Sequence, residues 1–175
     1  MKLEAEIVVA LAEVLVMAVW NDLRSSRIPN WLTFPAMGFA LVGHAWLGGI
    51  PEAIFSLSGL GVGLGLFLIP YMSKGIGAGD VKLLAAIGAI VGPYGALLSG
   101  LLAILVGGAY AVGAMCYQWG FLPTGRKLLD STIGFFLVGG KAWGQDLALP
   151  FRLRYGLAVA GGTLLFMLGL HPFGE

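Results

Sequence analysis

Long apolar runs, separated by short stretches that contain charged residues, proline or glycine, dominate the hydrophobic pattern of this chain. None of the runs alternates with the period of two that is typical of a half-buried strand. A helix needs about 20 apolar residues to span a bilayer, and it satisfies its own backbone hydrogen bonds there. The pattern therefore predicts six transmembrane helices, at residues 5–22, 31–49, 53–71, 81–92, 95–119 and 155–170.

The composition favours the same class of protein. Hydrophobic residues make up 58% and charged residues 11% of the 175 positions, whereas a soluble domain carries about 25% charge. Six spans with short connections use nearly the whole length, so we expect residues 1–175 to form one all-α integral membrane domain. No basic stripe with interleaved aromatic residues indicates a nucleic-acid partner. The single cysteine, Cys116, excludes an internal disulfide and a cysteine-only metal site.

Lysine and arginine predict the orientation. Nine of the ten basic residues fall between spans one and two, between or just beside spans three and four, or between spans five and six, and Lys2 alone falls on the other side. These connections should face the cytosol, with both termini outside. We expect the first span to be retained, because Glu4, Glu6 and Glu13 interrupt its apolar run and no small-residue cleavage pattern follows.

Residues 120–150 fit this scheme less simply. Their apolar stretch, residues 133–140, is less than half as long as a span. Counting it as a seventh span would move Arg152 and Arg154 outside. We therefore expect an interfacial or re-entrant element between helices five and six, with its charged residues in the headgroup zone.

Two aspartates fall where a predicted span meets the cytosolic face. Asp22 closes the first span, and Asp80, 58 positions later, opens the fourth. Acidic groups near the membrane interior are costly and are a functional hypothesis by default. Two such carboxyl groups at one depth can form a dyad, in which one keeps a proton and the other acts as a base toward water. The helix dipole favours Asp80 as the carboxylate and Asp22 as the proton holder.

The fourth apolar run is unusually short. Its twelve residues span about 18 Å as a helix, against a hydrocarbon core of about 30 Å. Either Pro93 kinks a helix that continues, or Asp80 begins below the lipid surface.

Glycines precede Asp80, and they allow an extended peptide to approach the backbone closely. The candidate substrate-binding residues on this face are Gly75, Gly77, Gly79, Lys82, Arg27, Pro29 and Asn30. A purely structural interpretation stays open, with Asp80 as an N-cap, Asp22 as a loop residue and the glycines as an ordinary turn. Arg27 and Lys82 can likewise be surface anchors.

Two further features of the apolar runs predict packing. Gly59, Gly61, Gly63 and Gly65 form two overlapping small-xxx-small pairs, which let helices approach closely. His44 and His171 have no third metal ligand at a plausible spacing, so hydrogen bonding between helices or an interfacial position is favoured over a metal site.

Residues 77–84, Gly-Ala-Gly-Asp-Val-Lys-Leu-Leu, resemble the GxGD signature of the type IV prepilin peptidase family. Asp22 followed by Arg27-Ile28-Pro29-Asn30 resembles the first-aspartate motif of that family, and residues 154–160 are similar to a weaker stretch that opens its last span. The resemblance covers essentially the whole chain. Both aspartate motifs stand in the expected order on the positive side of the predicted topology.

The resemblance implies a membrane-embedded aspartic endopeptidase of the cytoplasmic (inner) membrane. Such an enzyme hydrolyses the leader peptide of prepilins or pseudopilins at the cytosolic face, with Asp22 and Asp80 as the catalytic pair and with no metal or cofactor. Many bacterial relatives also methylate the new N-terminus and carry a cytosolic insertion with paired CxxC motifs. This chain has one cysteine and no such insertion, so it is similar to the short peptidases of tight-adherence (Flp) pilus systems. Methylation, the particular prepilin and the oligomeric state stay open.

Two other functions are weighed against the peptidase. One is a GxGD intramembrane protease of the presenilin or signal-peptide-peptidase kind, against which the Arg-Ile-Pro-Asn segment and the position of the first aspartate argue. The other is a small transporter or channel in which Asp22 and Asp80 handle protons or ions, since short discontinuous helices with a buried acid also occur in transporters. Cleavage of a prepilin by the purified protein discriminates between them.

Overall fold

The computed structural model describes residues 2–25, 27–72, 76–120, 123, 126 and 155–169. These residues form helices α1 (Lys2–Ser25), α2 (Asn30–Met72), α3 (Ala78–Trp119) and α4 (Tyr155–Met167), with no strand among them. The predicted all-α class is confirmed for this part of the chain. Helices α2 and α3 are long and apolar enough to cross a membrane. Most of the interfacial element predicted at residues 120–150 lies outside the described residues, as does His171.

Helices α2 and α3 each consist of two arms. The backbone leaves helical geometry at Gly49 (φ 70°, ψ −150°) and at Gly92 (φ 80°, ψ −179°), where the positive φ angle favours glycine. Contacts across Gly49 require the chain to fold back. The ring centroids of His44 and Phe55 are 5.7 Å apart, whereas the same separation along a straight helix would be about 16 Å.

The chain also folds back at Gly92. A Cβ atom added to Gly88 would lie 2.9 Å from the Cβ atom of Ala96, although the two residues would be about 12 Å apart along a straight helix. The segment that begins near Asp80 thus ends at Gly92 and does not continue through Pro93 in the same direction. Each break falls at the last residue of a predicted span, 31–49 or 81–92.

Side chains of α2 satisfy carbonyl groups at the break in α3. Pro93 has no N–H group to donate to the Ala89 carbonyl, and the Ser56 hydroxyl donates to that carbonyl instead, at 2.7 Å. His44 Nε2 lies 3.1 Å from the Ile90 carbonyl oxygen. Since a carbonyl only accepts, Nε2 is the donor. His44 therefore makes a hydrogen bond between helices, as the sequence predicts.

The close contact between α2 and α3 uses one of the two predicted glycine pairs. Gly59 packs against the backbone of Gly88, and a Cβ atom on Gly63 would lie 2.5 Å from the Leu84 carbonyl oxygen. A Cβ atom added to Gly61 or Gly65 would have no neighbour within 4 Å among the described residues. The prediction of two packing pairs is therefore wrong for the second pair, because residues two positions apart lie on nearly opposite faces of a helix.

The first arm of α3 forms the centre of the bundle. All residues from 83 to 90 are buried, and Leu83, Leu84 and Ile87 are completely inaccessible within a core cluster that includes Leu11 of α1 and Val159 of α4. Because the other helices surround this arm, Asp80 and Val81 in its first turn are buried.

Candidate active site

Asp22 and Asp80 meet at one end of the bundle. Asp22 lies in the last turn of α1 and Asp80 in the first turn of α3. Their relative exposures are 4% and 9%, and the two carboxyl groups are close enough to interact electrostatically. The fold thus brings together two buried acids that are 58 positions apart in the chain.

The Asp80 carboxylate is oriented by the start of its own helix. Gly77 is the N-cap residue, and its N–H group donates to Asp80 Oδ2 at 3.2 Å. The Asp80 N–H group donates in return to the Gly77 carbonyl oxygen at 3.1 Å. Asp80 is therefore not the N-cap residue, and the positive end of the helix dipole lies beside its side chain.

Asp22 packs against the first turn of α4. A Cβ atom added to Gly156 would lie 2.7 Å from Asp22 Oδ2 and 3.0 Å from Asp22 Cγ. Because such distances are too short for a real Cβ contact, only glycine allows the Asp22 carboxyl group this position.

Tyr155, the neighbour of Gly156, lies near the other aspartate. It interacts electrostatically with Asp80, and its ring meets that of Phe67 edge-on, with 6.3 Å between the centroids. A Cβ atom on Gly107 would lie 2.8 Å from the Tyr155 hydroxyl oxygen. The first turn of α4 therefore approaches both acids.

The sequence pattern does not assign Tyr155 and Gly156 to the site. A signal for them exists in the sequence, because they open the last predicted span directly after a basic stretch. That position gives them the same predicted depth as Asp22 and Asp80. A tyrosine and a glycine at a helix start are nevertheless more often packing residues, which explains why the pattern alone did not select them.

The segment at residues 28–30 packs against the start of α3 near the two acids. A Cβ atom on Gly79 would lie 3.0 Å from Ile28 Cβ and 3.3 Å from Ile28 N. Lys82 Nζ donates to Asn30 Oδ1 at 2.9 Å and lies 5.1 Å from the centroid of the Phe34 ring. These contacts join the start of α2 to the start of α3.

The predicted substrate-binding residues within the described part of the chain share this end of the bundle. Gly77, Arg27 and Asn30 are exposed, while Gly79, Lys82 and Pro29 are half-buried. Gly75 lies outside the described residues. Substrate binding by this set stays a prediction, since Lys82 and Asn30 bind each other and Gly79 packs against Ile28.

A separate, mainly apolar cavity of about 610 Å³ lies between α1 and the first arm of α2. It is lined by residues that include Glu13, Phe39, His44 and Leu47, and neither Asp22 nor Asp80 contributes to it. In the part of the chain that the structure describes, no cluster of three or more His, Cys, Asp or Glu side chains has an arrangement that could hold a metal ion.

Comparison with known proteins identifies a family. A sequence model of the type IV leader peptidase family matches residues 9–112, which is more than half of the chain. The match includes Asp22, Asp80 and the loops that pack beside them, and it ends before α4. No curated protein and no solved structure matches this chain.

Proposed function

The chain belongs to the type IV leader peptidase family, and on this premise we propose that it is a membrane-embedded aspartic endopeptidase. Its substrate is a prepilin or a prepilin-like protein, from which it hydrolyses the leader peptide at the cytosolic face. The observation that carries this proposal is the pairing of Asp22 with Asp80, two buried carboxyl groups that interact electrostatically.

The mechanism follows from that pairing. Two neighbouring carboxyl groups in a buried site resist ionising together, so one keeps a proton. The neutral acid donates a hydrogen bond to the scissile carbonyl oxygen, while the carboxylate takes a proton from a water molecule that attacks the carbonyl carbon. The tetrahedral intermediate then collapses as the leaving nitrogen accepts a proton from the dyad.

The surroundings of the two acids favour different roles. Asp80 accepts a hydrogen bond from the Gly77 N–H group at a helix N-terminus, where a negative charge is stabilised. Asp22 lies in the last turn of α1, where the dipole opposes a negative charge. We assign Asp80 as the base and Asp22 as the proton donor.

The substrate enters along the glycine-containing edge at the start of α3. Gly75, Gly77 and Gly79 lack side chains, so an extended leader peptide can approach their backbone. Arg27, Pro29, Asn30 and Lys82 form the rim of this entrance, and the contact between Lys82 and Asn30 holds the rim together.

The proposed topology has six spans, namely α1, the two arms of α2, the two arms of α3, and α4. Two observations support it: the breaks at Gly49 and Gly92, and the length and apolar composition of α2 and α3. The distribution of lysine and arginine orients the aspartates toward the cytosol and both termini outward.

Carboxylate-to-amide substitutions test the dyad. Asp22→Asn and Asp80→Asn should each lower cleavage of a prepilin by about 10²- to 10⁴-fold, because each removes one partner of general acid–base catalysis. The measurement is cleavage by purified protein in detergent, with the N-terminus of the product read by mass spectrometry. Glu13→Gln is the matched control, since Glu13 lies on the same helix as Asp22 but lines the separate cavity.

Wild-type cleavage rates in either aspartate variant would refute the dyad. Failure of the wild-type protein to cleave, together with an aspartate-dependent proton or ion flux in liposomes, would favour the transporter or channel instead. The mass of the product also reports whether the new N-terminus is methylated.

A further inference from the structure

The first turn of α4 packs against Asp22 at Gly156 and interacts electrostatically with Asp80 through Tyr155, although it lies outside the residues that match the family. We infer that Tyr155 and Gly156 are positioning residues for the catalytic pair. Gly156 sets the place of the Asp22 carboxyl group, and Tyr155 favours the ionised form of Asp80. This inference rests on the proposed function of the two acids.

Gly156 acts through its lack of a side chain, which leaves room for the Asp22 carboxyl group. Both Oδ2 and Cγ of Asp22 lie within 3.0 Å of the position that a Cβ atom would occupy there. Asp22 is a buried residue in the last turn of α1, so its carboxyl group has little room to withdraw. A methyl group at position 156 would therefore turn the Asp22 side chain away from its present direction.

Tyr155 is held at the site by its ring. The ring edge packs on Phe67, which is completely buried, and the hydroxyl end fits against Gly107 in the returning arm of α3. The absence of a side chain at Gly107 makes room for Tyr155, because a Cβ atom there would collide with the Tyr155 ring and hydroxyl group. The hydroxyl group thus has a defined position in the electrostatic field of Asp80.

The hydroxyl group influences protonation by its dipole. A phenol keeps its proton at neutral pH, so Tyr155 presents a donor group and no negative charge to the site. The titratable groups that interact with Asp80 within the described residues are Asp22 of α1 and Tyr155 of α4. Lys82, in the same helix as Asp80, binds Asn30 of α2. A hydroxyl donor beside a carboxylate stabilises its ionised form, and this is the role inferred for Tyr155 toward Asp80.

Alanine substitutions of two glycines in α4 test the steric part. Gly156→Ala should lower kcat by at least about ten-fold, which corresponds to a barrier increase of about 1.4 kcal/mol. Gly161→Ala is the matched control, because a Cβ atom there would make only an ordinary contact, at 3.5 Å to Val106 Cγ1. Both changes add the same methyl group to α4, so loss of activity in Gly156→Ala alone reflects the contact with Asp22.

Removal of one hydroxyl group tests the electrostatic part. Tyr155→Phe keeps the ring and should leave the melting temperature within about 2 °C of the wild-type value, since it alters no apolar contact. Its kcat should fall several-fold, and the acid limb of the kcat/KM profile should move to higher pH by about half a unit to one unit. Tyr117→Phe, at a residue that is 92% exposed, should change none of these quantities.

The same assay distinguishes failure of this inference from failure of the proposed function. If Asp22→Asn and Asp80→Asn are inactive while Gly156→Ala and Tyr155→Phe behave like their controls, the positioning roles are refuted and the dyad stands. A lower melting temperature for Tyr155→Phe with an unchanged pH profile would also refute the inference, because the residue would then be structural. If Gly156→Ala does not fold, the pH profile of Tyr155→Phe decides.

Discussion

The hydroxyl group of Ser56 compensates for a backbone donor that α3 lacks. In an uninterrupted helix the N–H group of residue 93 would bond to the Ala89 carbonyl, but Pro93 has no N–H group. Ser56 is fully buried, and its hydroxyl donates to that carbonyl at 2.7 Å. An unsatisfied carbonyl in an apolar interior is costly, so this bond stabilises the turn at Gly92 and with it the position of the arm that carries Asp80.

Removal of that hydroxyl should destabilise the fold. We expect Ser56→Ala to lower the free energy of unfolding by about 1 kcal/mol, a typical value for a lost interhelical hydrogen bond. Ser58→Ala should cost less, because the exposed Ser58 hydroxyl bonds only to the Phe55 carbonyl within its own helix. Reversible unfolding in mixed micelles measures both variants, and equal values for the two would contradict the role of the Ala89 contact.

Individual residues also show where reading the sequence succeeds. Asp22 and Asp80 could be found because a carboxylate at the end of an apolar run is physically unusual. Their position on one face then followed from the topology that the apolar runs and the lysine and arginine residues predict. Tyr155 and Gly156 could not be found in this way, since their role depends on contacts in three dimensions. A Cβ atom added to Gly156, for example, would lie 2.7 Å from Asp22 Oδ2.

At the scale of the element, the second arm of α2 shows how one helix presents different faces to protein and to open space. Gly59 and Gly63 lie four positions apart and contact the backbone of α3, at Gly88 and at Leu84. Gly61 and Gly65, offset by two positions, contact none of the helices α1–α4 that the structure describes. The two glycine pairs lie on different faces because residues two positions apart are separated by about 200° around a helix with 3.6 residues per turn.

This difference predicts opposite outcomes for one substitution. Gly63→Ala should destabilise the protein by about 1–3 kcal/mol, because the new methyl group would force α2 and α3 apart. Gly65→Ala should be neutral or stabilising by up to about 1 kcal/mol, since alanine is the better helix former. Unfolding of the two variants under identical conditions checks the pair, and similar destabilisation by both would show that α2 packs on α3 through another face.

The sequence could predict that α2 contains a packing stripe, but not which glycines form it. Spacing by four is common to both glycine pairs, so the choice between them depends on the rotation of the helix about its axis. That rotation is determined by the partner helix, whose own small residue at Gly88 lies opposite Gly59. By contrast, the breaks at Gly49 and Gly92 coincide with local Gly-Pro signals and were predictable from the chain alone.

At the scale of the whole molecule, the enclosed first arm of α3 contrasts with an apolar exterior. Large side chains such as Phe39, Trp46 and Ile50 are 79%, 87% and 77% exposed. Extended apolar surfaces of this kind are unusual in proteins that fold in water, and they suit contact with lipid. The enclosed arm places Asp80 at one end of the bundle, which the proposed topology assigns to the cytosolic face.

The proposed topology predicts that Arg27 and Ile50 lie on opposite sides of the membrane. The helix that joins them, from Asn30 to the break at Gly49, is about 28 Å long at 1.5 Å per residue, close to the hydrocarbon thickness of about 30 Å. Arg27 and Ile50 are both exposed.

With Cys116→Ser as the background, Arg27→Cys should react with a membrane-impermeant thiol reagent only in inverted vesicles, and Ile50→Cys only in intact spheroplasts. Labelling of both cysteines from the same side would show that the first arm of α2 does not span the bilayer. Labelling of Arg27→Cys only in spheroplasts and of Ile50→Cys only in inverted vesicles would place the aspartates outside the cytosol, where they have no access to a cytosolic leader peptide.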